Sequence, residues 1–336
     1  MLETTPLTTV LGARITGLDI ARGVDATTMA AVRAALDRFS VLVFPDQRID
    51  DAAQIAFSEG FGPLERTRPG APGAGSPVII LSNIGPAGEI APPTDRQVLN
   101  NKANRVWHHD SSFKPVPARA SLLSAREIPA AGGDTEFASQ RAAFAALDPA
   151  EQEGLRGRVA IHDFGWSRSR VDAALVTEAE LHQHPPVRQA LVLQENPHGP
   201  ALYLGAHARR IEGMDEAASR ALIDRLMALA TQPAFTYAHR WRPHDLVVWD
   251  NRAVLHRATP SPRRRSAATW CAPASPAPCR PSPTQRDGAW EGQAARSIAR
   301  RAGRRRNPPR PGRVDRGAPS GGYSGMAGAP SARPRS

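Results

Sequence analysis

The chain has 336 residues and a formal net charge of +11, from 43 Lys and Arg against 32 Asp and Glu, and it is long enough to bury a large core. Up to residue 260 it holds 27 basic and 29 acidic residues, so the positive charge comes from the last 76 residues, which hold 16 arginines and no lysine. Both cysteines also lie in that tail, which excludes a disulfide framework and a thiolate metal site in the body.

The first part of the chain predicts alternating strands and helices. It opens without the apolar core of a signal sequence, and no segment approaches the roughly 18 apolar residues of a membrane span, so we expect a cytoplasmic protein without membrane contact. Apolar spacing and turn residues predict, in order, a strand pair at 7–20, a helix at 26–39, a strand at 40–44, a helix at 50–59 and a strand at 78–84.

The second part is richer in short strands separated by Gly and Pro turns. Its predicted elements are strands at 120–127 and 134–139, helices at 140–147 and 149–157, a hairpin at 190–204, a helix at 215–231 and two strands within 235–256. Many short strands with helices inserted between them favour a mainly β fold, a sandwich or jelly roll, over a parallel α/β sheet.

Residues 106–113, V-W-H-H-D-S-S-F, contain candidate metal ligands. Successive side chains of a strand alternate between faces, so His108 and Asp110 share one face while His109 points to the other. A second histidine would complete a set of two His and one carboxylate, which leaves coordination positions open and suits non-haem Fe(II). His256, which follows the strand-like run L-V-V-W-D-N-R-A-V-L, is the candidate partner.

Three motifs together resemble the Fe(II)- and 2-oxoglutarate-dependent dioxygenases of the TauD/TfdA family: W-H-H-D-S-S-F, G-G-D-T-E-F-A-S and W-R-P-H-D-L-V-V-W-D-N-R-A-V-L-H-R-A-T. The resemblance covers about residues 5–260. It implies a double-stranded β-helix (a jelly roll, cupin-like) in which His108, Asp110 and His256 bind Fe(2+). It also implies that Thr135 hydrogen-bonds the distal carboxylate of 2-oxoglutarate, with O2 as the second co-substrate.

Within that family, S-S-F-K-P, N-N-K-A-N-R and A-L-Y-L-G-A-H-A-R-R-I-E-G-M look closer to the phenoxyalkanoate-degrading branch than to the taurine branch. The implied reaction hydroxylates a small anionic substrate, such as 2,4-dichlorophenoxyacetate, and releases succinate and CO2. A taurine or alkylsulfonate substrate is the alternative, because one scaffold serves both. The substrate-binding residues stay unassigned, and by analogy the enzyme is expected to form a homo-oligomer.

The chain departs from the family pattern after His256. The family carries two arginines there, in a strand that reads roughly R-R-x-x-x-R-T-x-I-x-G. One binds the distal carboxylate of 2-oxoglutarate and the other binds the substrate's acid group. Here Pro273 and Pro276 interrupt the corresponding stretch. We therefore expect a dioxygenase domain at 1–260 that lacks its C-terminal strand.

A shift of reading frame explains this departure. Codons for S-A-A-T-W-C-A-P-A-S-P-A, read one base earlier with suitable third bases, spell R-R-D-V-V-R-T-R-I-A-G. We predict a shift between about residues 260 and 266, which makes 261–336 an out-of-frame, disordered tail rich in Arg, Pro, Ala and Gly. An inactive family member is then an alternative function. Nucleic-acid binding by the tail is disfavoured, because no aromatic residues interleave its arginines to form a binding face.

The remaining polar residues receive weaker assignments. His109 is expected to be structural, His207 is a candidate for the substrate pocket, and Asp250 and Asn251 are candidates to orient the metal ligands. The histidines expected on the surface or in loops are His162, His182, His184, His198 and His239.

Overall fold

A computed structural model describes residues 2–65, 77–82, 89, 91–92, 94–128, 132–260 and 265–271. All of them belong to one compact unit, Met1–Asp287. Among these residues no helix is both long and apolar enough to cross a membrane. The expected disorder of the basic tail concerns residues that, beyond 271, lie outside the described part of the chain.

Helix periodicity located the helices Ala26–Phe39, Asp51–Glu59 and Glu216–Ala230 within one residue at each end. Six of the helices begin after an aspartate whose side chain accepts a hydrogen bond from a backbone N–H of the first turn, which contributes about 1 kcal/mol each. The helices of the described residues are α1 (Ala26–Phe39), α2 (Asp51–Glu59), α3 (Arg96–Ala103), α4 (Gln140–Ala145), α5 (Pro149–Leu155), α6 (Phe164–Ser169), α7 (Glu178–Gln183) and α8 (Glu216–Ala230).

The strands form one large sheet and three small ones, so the prediction of a mainly β fold with inserted helices is confirmed. The strands of the described residues are β1 (Glu3–Pro6), β2 (Ala13–Thr16), β3 (Val41–Phe44), β4 (Val78–Ser82), β5 (Ala120–Glu127), β6 (Thr135–Ser139), β7 (Val159–His162), β8 (Val187–Ala190), β9 (Val192–Leu193), β10 (Ala201–Leu202), β11 (Ala208–Ile211), β12 (Thr236–His239), β13 (Leu246–Asp250), β14 (Val254–Ala258) and β15 (Arg265–Cys271). The large sheet has the order β1-β2-β3-β13-β5-β15-β4, and the small sheets are β12-β6-β14, β11-β7-β8 and β10-β9.

The centre of the large sheet is buried on both faces. Leu42 and Phe44 of β3 pack in one core cluster with Phe57 of α2. Val43, on the other face, packs in a second cluster with Phe137 of β6. Strands buried on both faces read as continuous apolar runs, which is why V-L-V-F and L-V-V-W show no alternation. The second cluster joins the large sheet to the small sheet β12-β6-β14.

The C-terminal strands differ from the predicted pair within 235–256. Three strands are present, and consecutive strands of this segment belong to different sheets: β12 and β14 flank β6, whereas β13 lies between β3 and β5. A turn at 251–253 separates β13 from β14. The apolar, β-branched composition of the run predicted strands but could not show this change of sheet.

The strand β15 corrects the expectation that the C-terminal strand is missing. Its backbone pairs antiparallel with both β5 and β4, inside the large sheet. The prolines that argued against a strand, Pro273 and Pro276, come after its last residue, so neither removes an N–H group from the ladder. Hydrogen bonds of the backbone are the same for any non-proline sequence, so the pairing does not require the family's arginine motif.

Candidate metal centre

Two histidines far apart in the chain are joined by a backbone bridge. The His108 N–H donates to the carbonyl oxygen of His256 at 3.0 Å, and the His256 N–H donates to that of His108 at 2.9 Å. This antiparallel bridge sets the two imidazole rings side by side, with centroids 4.2 Å apart. Both residues are buried, at 7% exposure. The bridge therefore brings His256 next to His108, as the predicted set of metal ligands requires.

Asp110 completes the cluster from a turn that follows the bridge. Its Oδ1 lies 3.6 Å from His108 Nε2 and its Oδ2 lies 3.5 Å from His256 Nε2. One donor atom from each residue lies within 4.8 Å of the others. The expected continuous strand through Asp110 is wrong, because Ser111 adopts a positive φ of 55° and turns the chain. The three side chains converge nonetheless.

The histidines present unprotonated nitrogens to this space. His108 Nδ1 lies 2.7 Å from the Val106 carbonyl oxygen, which can only accept, so Nδ1 carries the proton and Nε2 keeps its lone pair. Burial lowers the pKa of His256 to about 3, so this ring is neutral at physiological pH. Neutral imidazoles with a free nitrogen are the form in which histidine binds metals.

Asp110 remains ionised beside them. Burial by itself raises the pKa of its carboxyl group, but the adjacent imidazoles of His256 and His108 and the hydrogen bond from Ser121 outweigh burial and lower that pKa below its usual value. Ser121 Oγ donates to Asp110 Oδ2 at 2.7 Å. Two imidazoles and one carboxylate fit a divalent metal ion of the type that takes mixed nitrogen and oxygen ligands.

Thr135, the other predicted site residue, is on the strand that pairs with the one bearing His256. Phe137 pairs directly with His256 and Thr135 pairs with Ala258 in the β6–β14 ladder, so Thr135 and His256 lie on the same face. Thr135 is buried at 3% exposure, and the indole Nε1 of Trp241 donates to its Oγ1 at 3.0 Å. The structure thus places the hydroxyl in the sheet that carries one ligand candidate.

Asn251 and Asp250, the two residues predicted to orient the metal ligands, have different partners. Asn251 Oδ1 accepts from the Asp110 backbone N–H at 3.3 Å, so it does contact the cluster. Asp250 pairs with Arg252 instead, at 2.7 Å. Sequence reasoning missed Ser121, because a serine within an apolar strand gives no signal of its partner. His109 turns away and packs on Tyr203, with ring centroids 4.5 Å apart, as its predicted structural role requires.

Two of the five histidines expected on the surface or in loops are in fact buried, and His184 is partly buried. His162 in β7 is 0% exposed and His239 in β12 is 4% exposed. His239 Nε2 lies 3.1 Å from the Asp245 carboxylate. A short strand that contributes to a small sheet can bury all its side chains, which the mixed polar composition of 159–184 concealed. His182 and His198 are exposed, as expected.

We expect the His162→Phe substitution to make the protein less sensitive to acid. Burial lowers the pKa of His162 from 6.5 to about 4, so below pH 6.5 the unfolded chain binds a proton that the folded protein does not. Its contribution to stability is full above that pH and is lost as the pH falls toward 4. Urea unfolding should show a fall in unfolding free energy from about pH 7 to about pH 5 that is about 2 kcal/mol smaller in the variant. The exposed His182→Phe control should match the wild-type protein, and an unchanged fall in His162→Phe would contradict this prediction.

Comparison with known proteins decides the family. Residues 3–270 match the family model described as taurine catabolism dioxygenase TauD, TfdA family. The chain belongs to the TauD/TfdA family. It is 39% identical over 259 residues to the alpha-ketoglutarate-dependent 2,4-dichlorophenoxyacetate dioxygenase of Cupriavidus pinatubonensis, an alignment that covers 75% of this chain and 90% of the relative.

Further relatives agree with this assignment. The (S)-phenoxypropionate/alpha-ketoglutarate-dioxygenase of Sphingobium herbicidovorans is 34% identical over 278 residues, which cover 79% of this chain and 92% of the relative. Among solved structures, AAD-2 in complex with Mn(II) and N-oxalylglycine aligns with a TM-score of 0.75 and 35% identity, over 85% of this chain and all of that one. The family predicted from the three motifs is therefore confirmed, and with it the assignment of the chain to the dioxygenases, a class of oxidoreductases.

Proposed function

We propose that this TauD/TfdA protein is an Fe(II)- and 2-oxoglutarate-dependent dioxygenase whose iron is held by His108, Asp110 and His256. The observation that carries the proposal is the convergence of one nitrogen from each histidine and one carboxylate oxygen within 4.8 Å. Two histidines and one carboxylate on one side of an iron leave positions for a chelating co-substrate and O2. When bound, the iron and 2-oxoglutarate supply the oxidising chemistry that inserts oxygen into the substrate.

The protein's own groups bind and orient the parts. His108 keeps its proton on Nδ1 through the Val106 carbonyl, which fixes its ring and leaves Nε2 for the metal. His256 is oriented by the bridge to His108 and by the Trp249 indole, whose ring centroid lies 4.7 Å from its own. The small exposure of all three side chains limits the access of bulk water to the site.

We also propose that the described strands form the double-stranded β-helix, or jelly roll, of this family. In support, the core cluster that contains Val43 and Phe137 joins the large sheet to β12-β6-β14. The metal cluster lies between the same two sheets, because Ser121 belongs to β5 of the large sheet and His256 to β14 of the small one. A site between two facing sheets is held by rigid elements on both sides.

Thr135 is proposed to bind the distal carboxylate of 2-oxoglutarate. The Trp241 indole can only donate, so its hydrogen bond at 3.0 Å occupies a lone pair of the Thr135 oxygen and leaves the hydroxyl proton for an acceptor. A hydroxyl that can still donate its proton suits an anionic ligand. N-oxalylglycine, the amide analogue of 2-oxoglutarate, is bound with Mn(II) in the related AAD-2 structure.

We expect Thr135→Val to raise the KM for 2-oxoglutarate about 10- to 100-fold, with little change in Mn(II) affinity. Valine has nearly the shape of threonine but lacks the hydroxyl, and a hydrogen bond to a charged group contributes about 1.5 to 3 kcal/mol. Succinate formation over a range of 2-oxoglutarate concentrations measures the effect. Thr135→Ser, which retains the hydroxyl, serves as the control, and an equal rise in KM in both variants would contradict the assigned role.

The substrate we propose is a phenoxyalkanoate such as 2,4-dichlorophenoxyacetate, with succinate and CO2 as co-products. Both relatives named above act on phenoxy acids. Phe113, which ends the segment 106–113 that contains His108 and Asp110, packs against two other rings. Its ring centroid lies 4.9 Å from that of Phe164 and 4.8 Å from that of His207. Such rings suit a ligand that carries an aromatic group. Taurine and alkylsulfonates, which lack a ring, are the alternative substrates.

Succinate release tests the function directly. The full chain is incubated with Fe(II), ascorbate, 2-oxoglutarate and either 2,4-dichlorophenoxyacetate, phenoxypropionate or taurine. We expect succinate and the corresponding phenol with the phenoxy acids only. Equal or greater turnover of taurine would overturn the substrate assignment, whereas Mn(II) binding without turnover of any acid would favour an inactive, frameshifted member of the family.

A further inference from the structure

Three rings beside the metal motif form a closely packed group, which we call the ring cluster: Phe113, Phe164 and His207. The Phe113 ring centroid lies within 5 Å of the other two, at 4.9 Å from Phe164 and 4.8 Å from His207. All three side chains are nearly inaccessible, at 7%, 3% and 4% exposure. Because the rings pack as tightly as a core, a shift of one ring changes the surface that the whole cluster presents to a ligand.

Two members of the ring cluster belong to the small sheet β11-β7-β8. Phe164 follows the last residue of β7 by two positions, and His207 directly precedes β11, which pairs with β7. Phe113 comes from another part of the chain, a turn that the Lys114 N–H closes by donating to the Ser111 carbonyl oxygen at 2.9 Å. The arrangement of the three rings therefore depends on how this turn is held against the sheet.

Gln189 joins the turn to that sheet. It lies in β8, where it pairs with Ala160 of β7, and it is 1% exposed. Its Nε2 donates to the carbonyl oxygen of Ser112 at 3.1 Å and to that of Lys114 at 2.9 Å. Carbonyl oxygens can only accept, so the amide nitrogen of the side chain faces them and both of its protons are used. Gln189 thus holds the backbone on both sides of Phe113.

Glu65 contacts the same turn, but through side chains. Its Oε2 accepts from Ser111 Oγ at 2.9 Å and pairs with the ammonium group of Lys114. Neither bond reaches the backbone beside Phe113, which leaves the docking of that backbone on the sheet to Gln189.

The metal-binding end of the segment is held by different partners. The Asp110 backbone N–H donates to Asn251 Oδ1 at 3.3 Å, and Ser121 Oγ donates to Asp110 Oδ2 at 2.7 Å. Neither bond involves Gln189. Loss of the two Gln189 hydrogen bonds should therefore move Phe113 without releasing Asp110 from the metal cluster.

We propose that Gln189 is a positioning residue that gives the substrate site its preference for an aromatic ring, because it holds Phe113 in the ring cluster. This inference rests on the proposed phenoxyalkanoate substrate. A side chain without the two N–H groups would deprive two backbone carbonyl oxygens of hydrogen bonds inside the protein, which is costly enough to shift the turn. The ring cluster would then lose the arrangement that suits an aromatic group, whereas an acid without a ring would bind as before.

The test measures the binding of two acids to the full chain loaded with Mn(II) and 2-oxoglutarate, by isothermal titration. Phenoxyacetate carries an aromatic ring, and butoxyacetate has the same ether and carboxylate groups without one. Gln189→Met keeps the length of the side chain but removes both N–H groups. We expect it to weaken phenoxyacetate binding about 2- to 10-fold, the range that corresponds to the loss of one aromatic contact, and to leave butoxyacetate and Mn(II) binding unchanged.

A double substitution tests whether Gln189 acts through Phe113. Phe113→Leu should weaken phenoxyacetate binding to a similar degree, and Gln189→Met added to it should weaken that binding no further. A second loss of the same size in the double variant would overturn the proposed role. Gln189→Glu, which keeps the shape of the side chain and replaces the amide nitrogen by an oxygen, should match Gln189→Met and takes its place if the methionine variant does not fold.

Gln47→Met is the matched control. Gln47 is also buried, at 8% exposure, and its Nε2 donates to two backbone carbonyl oxygens, those of Leu18 and Pro45, both at 3.0 Å. It should leave the affinity for both acids unchanged. Wild-type phenoxyacetate affinity in the Gln189 variants, or an equal loss for both acids, would overturn the proposed role while the substrate assignment stands. A wild-type chain that binds phenoxyacetate no more tightly than butoxyacetate would overturn the substrate assignment and this inference together.

Discussion

Asp110→Asn should abolish 2-oxoglutarate-dependent turnover and lower Mn(II) affinity by about 100-fold or more. Substitution of a residue that hydrogen-bonds a metal ligand already lowers metal affinity or activity about 10- to 100-fold. The loss of the only carboxylate in the cluster should therefore lower metal affinity by at least the upper end of that range. The substitution preserves shape, and the Asn side chain can still accept from Ser121. Isothermal titration with Mn(II), together with succinate release, measures both effects, and His256→Ala should behave in the same way.

His182→Ala is the control for these substitutions, since this histidine is exposed and lies outside the cluster. Thermal unfolding of the metal-free proteins separates loss of the site from loss of the fold. A folded Asp110→Asn or His256→Ala protein with wild-type Mn(II) affinity would refute the assignment of these residues as ligands. Removal of the metal by a chelator should likewise stop turnover, and added Fe(II) should restore it.

Restoring the alternative reading frame should raise kcat/KM for 2-oxoglutarate and substrate together, on the order of 100-fold. The repaired chain continues from about residue 266 as R-R-D-V-V-R-T-R-I-A-G, which adds arginines at the positions where the family binds two carboxylates. Each charged partner missing from such a site costs about 2 to 5 kcal/mol. The strand β15 occupies the same stretch of the large sheet, so the repair changes side chains on a backbone that already pairs.

The control for this experiment is the repaired chain with the arginine codons of its R-T-R segment changed to alanine codons, which should return activity to that of the present chain. If the repaired chain is no more active than the present one, the prediction that the present chain lacks a functional arginine motif is wrong. The nucleotide sequence across codons 255–275 gives an independent check, because a frame that does not encode R-R-D-V-V-R-T would exclude the shift.

The ligand candidates were predictable because their spacing and neighbours are local. His108 and Asp110 are two residues apart, and His256 ends a run of apolar residues bounded by W-D-N-R. Thr135 followed from the G-G-D-T motif by resemblance alone. The metal-facing role of each of these four residues stays a prediction until it is measured, but their placement in adjoining strands and turns agrees with it.

The supports of the site were not predictable from spacing. Ser121, Asn251 and Trp249 are distributed over two strands and a turn, and only the register of β5 against β13 makes Ser121 a neighbour of Trp249. The same holds for His162, whose burial depends on the partners of β7 and not on the polar residues around it. Sheet order is a long-range property that a pattern of apolar and polar residues does not encode.

The sequence by itself determined that the body is a mainly β, family-typical dioxygenase domain and which residue types are available to bind a metal, because propensity, periodicity and motif spacing act over a few neighbouring residues. Only the tertiary structure decided that His108 and His256 meet through a backbone bridge, that Asp110 turns toward them, and that Ser121 holds one of its oxygens. Those contacts depend on which strands become neighbours, and that choice is made by the packing of the whole core.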